Sequence, residues 1–255
     1  MKPLILIAII FALAVQPPSE KITELNPTLG KLINKSAEGE AIFIKRLKLC
    51  EALWAKTSKG NYGKLSKSER NQLKNFSEDE DYWEIVGSGC NWYCDGGLET
   101  ASASSSLSKQ GNVTYIAKNA NDLNYKTAWI EGVSGYGIGE YLIYDFPPEN
   151  PRITKIIVVN GYVKSEKAWN ENSRVKQLKV YLDERPLLLL NLQDTRKEQI
   201  FTLKQLIGNG NRTNYKALQL KPRWKLKFEI TDVYKGQKFD DTAITEIYFD
   251  GTDVH

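Results

Sequence analysis

Apolar and polar positions follow two rhythms along the 255 residues, and the change falls near Tyr82. From Ala37 to Thr57, Ile42, Ile44, Leu47, Leu49, Leu53 and Trp54 recur at mostly two- to four-residue spacings among Lys and Glu, which predicts an amphipathic helix. A second short helix is predicted over Ser66 to Asn75, where Ser66 followed by Glu69 forms a capping box and Leu73 supplies an inward residue. Beyond Tyr82 the period becomes two. Trp224, Leu226, Phe228 and Ile230 alternate with Lys225, Lys227 and Glu229, and Leu178, Val180 and Leu182 alternate with Gln177, Lys179 and Tyr181, as in half-buried strands. Further strands are predicted at Tyr82 to Val86, Tyr141 to Phe146, Ile153 to Asn160, Pro186 to Leu192, Gln199 to Leu203, Tyr215 to Leu220 and Thr242 to Phe249. Asp183-Glu184-Arg185-Pro186 reads as a hairpin tip, and most other strands are separated by Gly, Asn, Asp or Pro. Many short strands with such turns argue for a mainly β, antiparallel sandwich or barrel.

The ends and the composition add boundaries. Lys2, an apolar run from Leu4 to Val15 and then Gln16-Pro17-Pro18 have the order of a secretory signal peptide, with Ala12-Leu13-Ala14 as a small-x-small cleavage pattern. The run is short of the about 20 residues a spanning helix needs. The organisation expected is therefore a signal peptide over 1–16, a linker over 17–36, a helical region over 37–81 and a sheet domain over 82–255. The protein would be secreted or periplasmic, with no membrane span after cleavage. A net charge of +4, with Lys scattered between Asp and Glu, leaves no nucleic-acid footprint. Of three cysteines, Cys90 and Cys94 are close enough to bridge in an oxidising compartment, whereas Cys50 reads as buried and free. Zinc lacks its favoured ligands, since the only histidine is His255.

Within the sheet region, Ala101-Ser102-Ala103-Ser104-Ser105-Ser106, then Asn119 to Trp129 ending in Thr127-Ala128-Trp129, then Gly137-Ile138-Gly139-Glu140-Tyr141 form an ordered set. This set resembles the discoidin, or coagulation factor V/VIII type C, superfamily with its galactose-binding-like fold. Asn160 to Ser165, Trp169, Asn172 to Lys176 and Leu178 to Tyr181, with Thr242 to Phe249, look like the glycan-binding domain found ahead of the catalytic domain in secreted streptococcal NAD glycohydrolase toxins. The resemblance covers about Gly87 to Gly251 and implies a jelly-roll β-sandwich whose end loops bind sugars. It implies no chemistry of its own. It also implies a structural calcium held by Asp122, Thr127 and Glu246 together with loop carbonyls. Here the usual Asp-Gly pair reads Asp122-Leu123, losing the glycine that eases a positive-φ turn. An Asx-turn without an ion is the other reading of this loop.

Candidate ligand residues lie between strands. Sugars need an aromatic face for their C–H side and planar donors and acceptors for their hydroxyls. Tyr162, Lys164, Trp169, Asn170, Asn172 and Arg174 offer both within one connection. Against this stands a structural role, with Asn172 and Arg174 stabilising the turn and Trp169 packing on the sheet end. Trp129, between Ala128 and Ile130, reads as core, and Tyr136 in a glycine-rich loop reads as an exposed ligand candidate. No histidine-dependent triad, phosphate loop or dinucleotide fingerprint is present, so no enzyme is predicted. The expectation is an exported, non-catalytic, lectin-like protein that binds a cell-surface or matrix glycan. The alternative is a protein-interaction or toxin-accessory module on the same scaffold.

Overall fold

The computed structural model describes residues 22–57, 65–74, 81–87, 91–95, 99–210 and 212–253. The expected signal peptide over 1–16, the partner Cys90 of the expected Cys90–Cys94 bridge, and His255 lie outside the described residues. In chain order the strands are β1 (Thr23–Leu25), β2 (Thr28–Leu32), β3 (Thr100–Ala103), β4 (Trp129–Ile130), β5 (Tyr141–Phe146), β6 (Ile153–Asn160), β7 (Ser173–Leu182), β8 (Arg185–Asn191), β9 (Lys197–Ile207), β10 (Trp224–Tyr234) and β11 (Thr242–Gly251). The α-helices are α1 (Ala37–Thr57), α2 (Lys67–Lys74), α3 (Trp92–Asp95), α4 (Glu166–Glu171) and α5 (Tyr215–Gln219).

The strands form a jelly-roll sandwich. One sheet runs β1-β8-β7-β10-β5-β3 and the other β2-β9-β6-β11, with β4 on the start of β11. The two are stitched where Thr242 and Ala243 of β11 pair in parallel with Ser173 and Arg174 of β7. The alternation read from the sequence holds. Trp224, Leu226, Phe228 and Ile230 all turn inward, as do Leu178 and Val180. Phe249 of β11 reaches across the sandwich to Tyr144 and Phe146 of β5, at ring-centroid distances of 5.3 and 5.2 Å. Emptying such a position costs about 3 to 5 kcal/mol, so this contact fixes how the sheets face one another.

Asp183 and Glu184 form a two-residue tip between β7 and β8, with φ of 46° and 69°. A two-residue turn with both φ positive follows the right-handed strand twist. The Asp183 carboxylate accepts the Lys225 N–H at 2.8 Å, tying the tip to β10.

The capping box is present. Glu69 Oε2 accepts the Ser66 N–H at 2.8 Å and Ser66 Oγ accepts the Glu69 N–H at 3.2 Å, ahead of α2. Cys50 is buried on α1, and burial pushes its thiol pKa up.

Three expectations are corrected. The stretch 17–36, read as a linker, contributes β1 and β2, which pair with β8 and β9 and carry the chain from one sheet to the other across Asn26-Pro27. Its short apolar runs were hidden by Pro27 and Gly30. Tyr82 to Val86 is a turn with a single bridge from Glu84 to Asn124, because the Asp81 side chain accepts the Trp83 N–H and bends the chain. Tyr215 to Leu220 starts as the helix α5: Asn214 caps it by accepting the Ala217 N–H, and only Leu218 is buried, where a strand would bury alternate residues.

Candidate functional site

The loop between Asn119 and Thr127 lies against the middle of β11. Thr127 donates its hydroxyl to both oxygens of Asp122, at 2.9 and 2.7 Å, and the Leu123 N–H donates to Glu246 Oε2 at 2.9 Å. The structure therefore brings Asp122, Thr127 and Glu246 together. Leu123 adopts a φ of 56° without the help of a glycine. That conformation is uncommon for a bulky residue and persists only where its surroundings hold it. They do: Ile85 donates to the Leu123 carbonyl and Tyr125 to the Trp83 carbonyl, so the turn at 83–85 clamps the loop from behind.

Glu246 is fully buried, and its Oε1 has no hydrogen-bond partner among the described residues. Burial first, then the charge of Asp122, pushes its carboxyl well above the usual carboxylate range; burial also raises Asp122. An unmatched buried carboxylate oxygen beside a second carboxylate and a hydroxyl is a set of hard oxygen donors. Among the described residues no three His, Cys, Asp or Glu side chains cluster as a metal site, so any cation here would need loop carbonyls as well.

The second region is the end of the sandwich where the loops 131–140, 161–172 and 235–241 converge. Most of the expected glycan residues lie in the middle loop, and the structure gives each a partner inside the protein. Tyr162 is 5% exposed, and its hydroxyl donates to the Lys126 carbonyl at 3.3 Å. Lys164 places its ammonium 5.2 Å from the Tyr162 ring. Trp169 lies against Gly161, whose φ of 71° and lack of a Cβ make room for the indole. The Trp169 ring also carries the Arg174 guanidinium at 4.5 Å. That guanidinium is buried and bidentate to Asp194, both contacts 2.9 Å, and donates again to the Asn172 carbonyl. Asn172 donates its side-chain amide to the Ala168 carbonyl, closing α4, and the Asn170 carbonyl accepts the Gln237 N–H. A ligand contact by Arg174 or Tyr162 would require it to leave these partners.

What this middle loop does hold is its neighbour. The Glu171 carbonyl accepts the N–H groups of Lys238 and Phe239, and Gly236 is packed so tightly on Glu171 and Asn172 that a Cβ would fall 2.5 Å from their backbone atoms. The segment 238–241 is thereby presented at the rim, opposite the glycine-rich loop. Between them is an open depression of about 510 Å³ lined by Leu107, Val133, Ser134, Phe239, Asp240 and Asp241, among others. Phe239 is 38% exposed, with the Lys238 ammonium 4.8 Å from its ring. Tyr136, the remaining expected residue, stands beside this depression, half-buried under Lys235 at 4.8 Å.

Behind the glycine-rich loop, buried Glu131 accepts the Val133 and Thr242 N–H groups at 2.8 and 3.0 Å, and burial raises its pKa. A Cβ on Gly137 would lie 2.4 Å from the Glu131 side chain, so the loop depends on that glycine. Burial and the neighbouring Asp240 raise Asp241.

The sequence reading missed Phe239, Asp240 and Asp241. The available signal was an apolar ring in the polar run Lys238-Phe239-Asp240-Asp241, directly before a strand. Trp129 is fully buried core, as expected, with its indole N–H donated to the Ser105 carbonyl at 2.9 Å. No helix among the described residues is long and apolar enough to cross a membrane.

No curated protein matches the chain. Similar solved structures include a family 32 carbohydrate-binding module, CpGH89CBM32-5 of Clostridium perfringens, in complex with GalNAc-beta-1,3-galactose. It is 15% identical, the match covers 61% of this chain and 96% of that one, and the TM-score is 0.42. The family 32 module of Clostridium perfringens NanJ, in complex with galactose, is 14% identical over 59% of this chain and 92% of that one, with a TM-score of 0.40. The family 32 module of Streptococcus pneumoniae EndoD is 10% identical over 62% and 99%, with a TM-score of 0.41. Residues 92–250, more than half of the chain, match the family described as the NAD glycohydrolase translocation F5/8 type C domain. With its discoidin-like sandwich and this match, the chain belongs to the NAD glycohydrolase translocation F5/8 type C domain family.

Proposed function

We propose that this protein is an exported, non-catalytic glycan-binding domain whose ligand lies in the depression between the loops 131–140 and 235–241. The observation that carries the reading is the exposed ring of Phe239 beside the Asp240 and Asp241 carboxylates in one open rim site. An apolar ring accepts the C–H face of a sugar, and carboxylates accept its hydroxyls. Ser134, on the opposite loop, adds a donor. Tyr162, Trp169, Asn172 and Arg174 then act as positioning residues beneath the rim, holding the loop that carries Phe239. Affinity from one such shallow site is modest, and multiple copies on a surface would raise it. Export rests on the signal-like order of the first residues.

Calcium would suit the loop between Asn119 and Thr127. Asp122, Thr127 and Glu246 would hold it together with loop carbonyls, giving the orphaned Glu246 oxygen a partner and locking the loop against β11. Its role there is structural. The family description, which names translocation of an NAD glycohydrolase, favours a second reading in which the domain serves as an accessory to a toxin.

A glycan array probed with the purified protein and with Phe239→Ala separates these readings. Retention of defined glycans, lost or reduced about tenfold or more in the variant, supports the rim site. Absence of any retained glycan contradicts it.

A further inference from the structure

Among the described residues, one side of the sandwich is closed over only part of its length. β1 covers β8 along 188–190, and β2 covers β9 along 197–200. Below them, no strand among the described residues pairs with 185–187 of β8 on that edge. Residues 203–206 of β9 fall in an irregular stretch, since β6 pairs with Thr202 and next with Ile207. Between these uncovered edges is a slot of about 410 Å³. Its apolar lining includes Leu182, Leu188, Leu203 and Ile207, so its floor is the sandwich core itself. At its rim Leu206 is 45% exposed.

Three features specify an occupant. Pro186 has no N–H and blunts the β8 edge, so a strand entering the slot would pair with β9, in line with β2. An apolar floor below an uncovered strand edge suits an extended segment with apolar side chains on one face. Lys204 in the lining and Arg185 at the head of β8 are both exposed, and neither has an ion-pair partner among the described residues, which favours acidic side chains on the segment. A second copy of this chain would set these cations against their equivalents, on a molecule already at +4.

We propose that the slot takes an extended apolar segment bearing acidic side chains, contributed by a partner protein and added as a strand along β9. The test is to pan the full chain against a displayed library of random dodecapeptides, then measure binding of the enriched peptides by fluorescence anisotropy. Enriched peptides are expected to alternate apolar with acidic or polar residues. Their affinity should fall about tenfold or more with Leu206→Asp or Lys204→Glu, and also with Gln205→Pro, which removes an edge N–H. Melting curves of the three exposed-site variants confirm that each remains folded. No enrichment overturns the proposal, as does enrichment indifferent to all three changes. So does a dimer in sedimentation that Leu206→Asp dissolves, which would assign the slot to a second copy.

Discussion

Glu246 is the residue on which the loop opposite β11 depends, because it is a buried carboxylate with one oxygen satisfied by the Leu123 N–H and the other by no group among the described residues. A group whose folded pKa is raised contributes stability that is present below its ordinary value of 4.5 and is lost as pH rises through the raised one. Without a cation, the protein should therefore lose stability through Glu246 as pH rises above that value. Calcium bound to the ionised pair with Asp122 should restore it. At a hundred times its dissociation constant calcium adds about 2.7 kcal/mol, or roughly 5 to 10 °C in a chain of this size. Melting curves with calcium and with chelator should show this rise growing from about pH 5 to about pH 8, and Glu246→Gln should abolish it. An equal melting temperature with and without calcium at both pH values would contradict the site. The three oxygen-bearing residues could be named in advance because an Asp, a Thr and a distant Glu each sat in a motif. The tolerance of Leu123 for a positive φ could not be, since it rests on the turn at 83–85, far earlier in the chain.

Among the elements, strands with strict two-residue alternation were legible because one face of each is core. β10 and β7 are the clearest, and the capped α2 was legible from Ser66 and Glu69. α1 is a helix as expected, but its spacing misjudged the buried face, since Ile42, Ile44, Leu49 and Trp54 are exposed and Leu53, with Cys50, is buried. Short elements were not legible. β1 and β2 have three and five residues and gain their order by pairing with distant strands, which no local pattern records. α4 escaped because Ser165, which caps it, sits in a stretch that reads equally as a polar loop. The same ambiguity shaped the site. Trp169, Asn172 and Arg174 have the chemistry of sugar contacts, and only the folded arrangement shows that Asp194 and the backbone already engage the guanidinium. The β7–β8 tip offers a check on element energetics. Asp183 and Glu184 hold positive φ at a cost that Asn and Gly avoid. The double change Asp183→Asn with Glu184→Gly should stabilise the protein by about 1 kcal/mol in urea unfolding, because the new amide side chain still offers an oxygen to the Lys225 N–H. A loss of stability would mean that the tip is held by something other than its turn geometry.

At the scale of the whole molecule, function is placed by division of labour. The two sheets and their aromatic core supply a rigid body, and the parallel stitch of β11 on β7 fixes the end at which three loops meet. The N-terminal arm straps one flank, where Glu198 accepts the hydroxyls of Tyr125 and Tyr248 and the N–H of Lys31, and where Ile33 shares a buried cluster with Tyr125 and with Val163 of the middle rim loop. The helical region is tied to this flank by Lys126 on Glu40 and by Phe43 on Tyr82. In the rim loops Gly137 and Gly236 are packed against Glu131 and against the backbone of Glu171 and Asn172, whereas the Phe239 ring is left exposed. Two-dimensional amide NMR of the isotope-labelled protein, titrated with the glycan that an array retains, tests the rim assignment most directly. Shifts should concentrate at Ser134, Gly135 and the run Lys238 to Asp241, with Arg174 and its neighbours responding weakly. Shifts concentrated along β8 and β9, or spread evenly without a cluster at the rim, would place the ligand elsewhere.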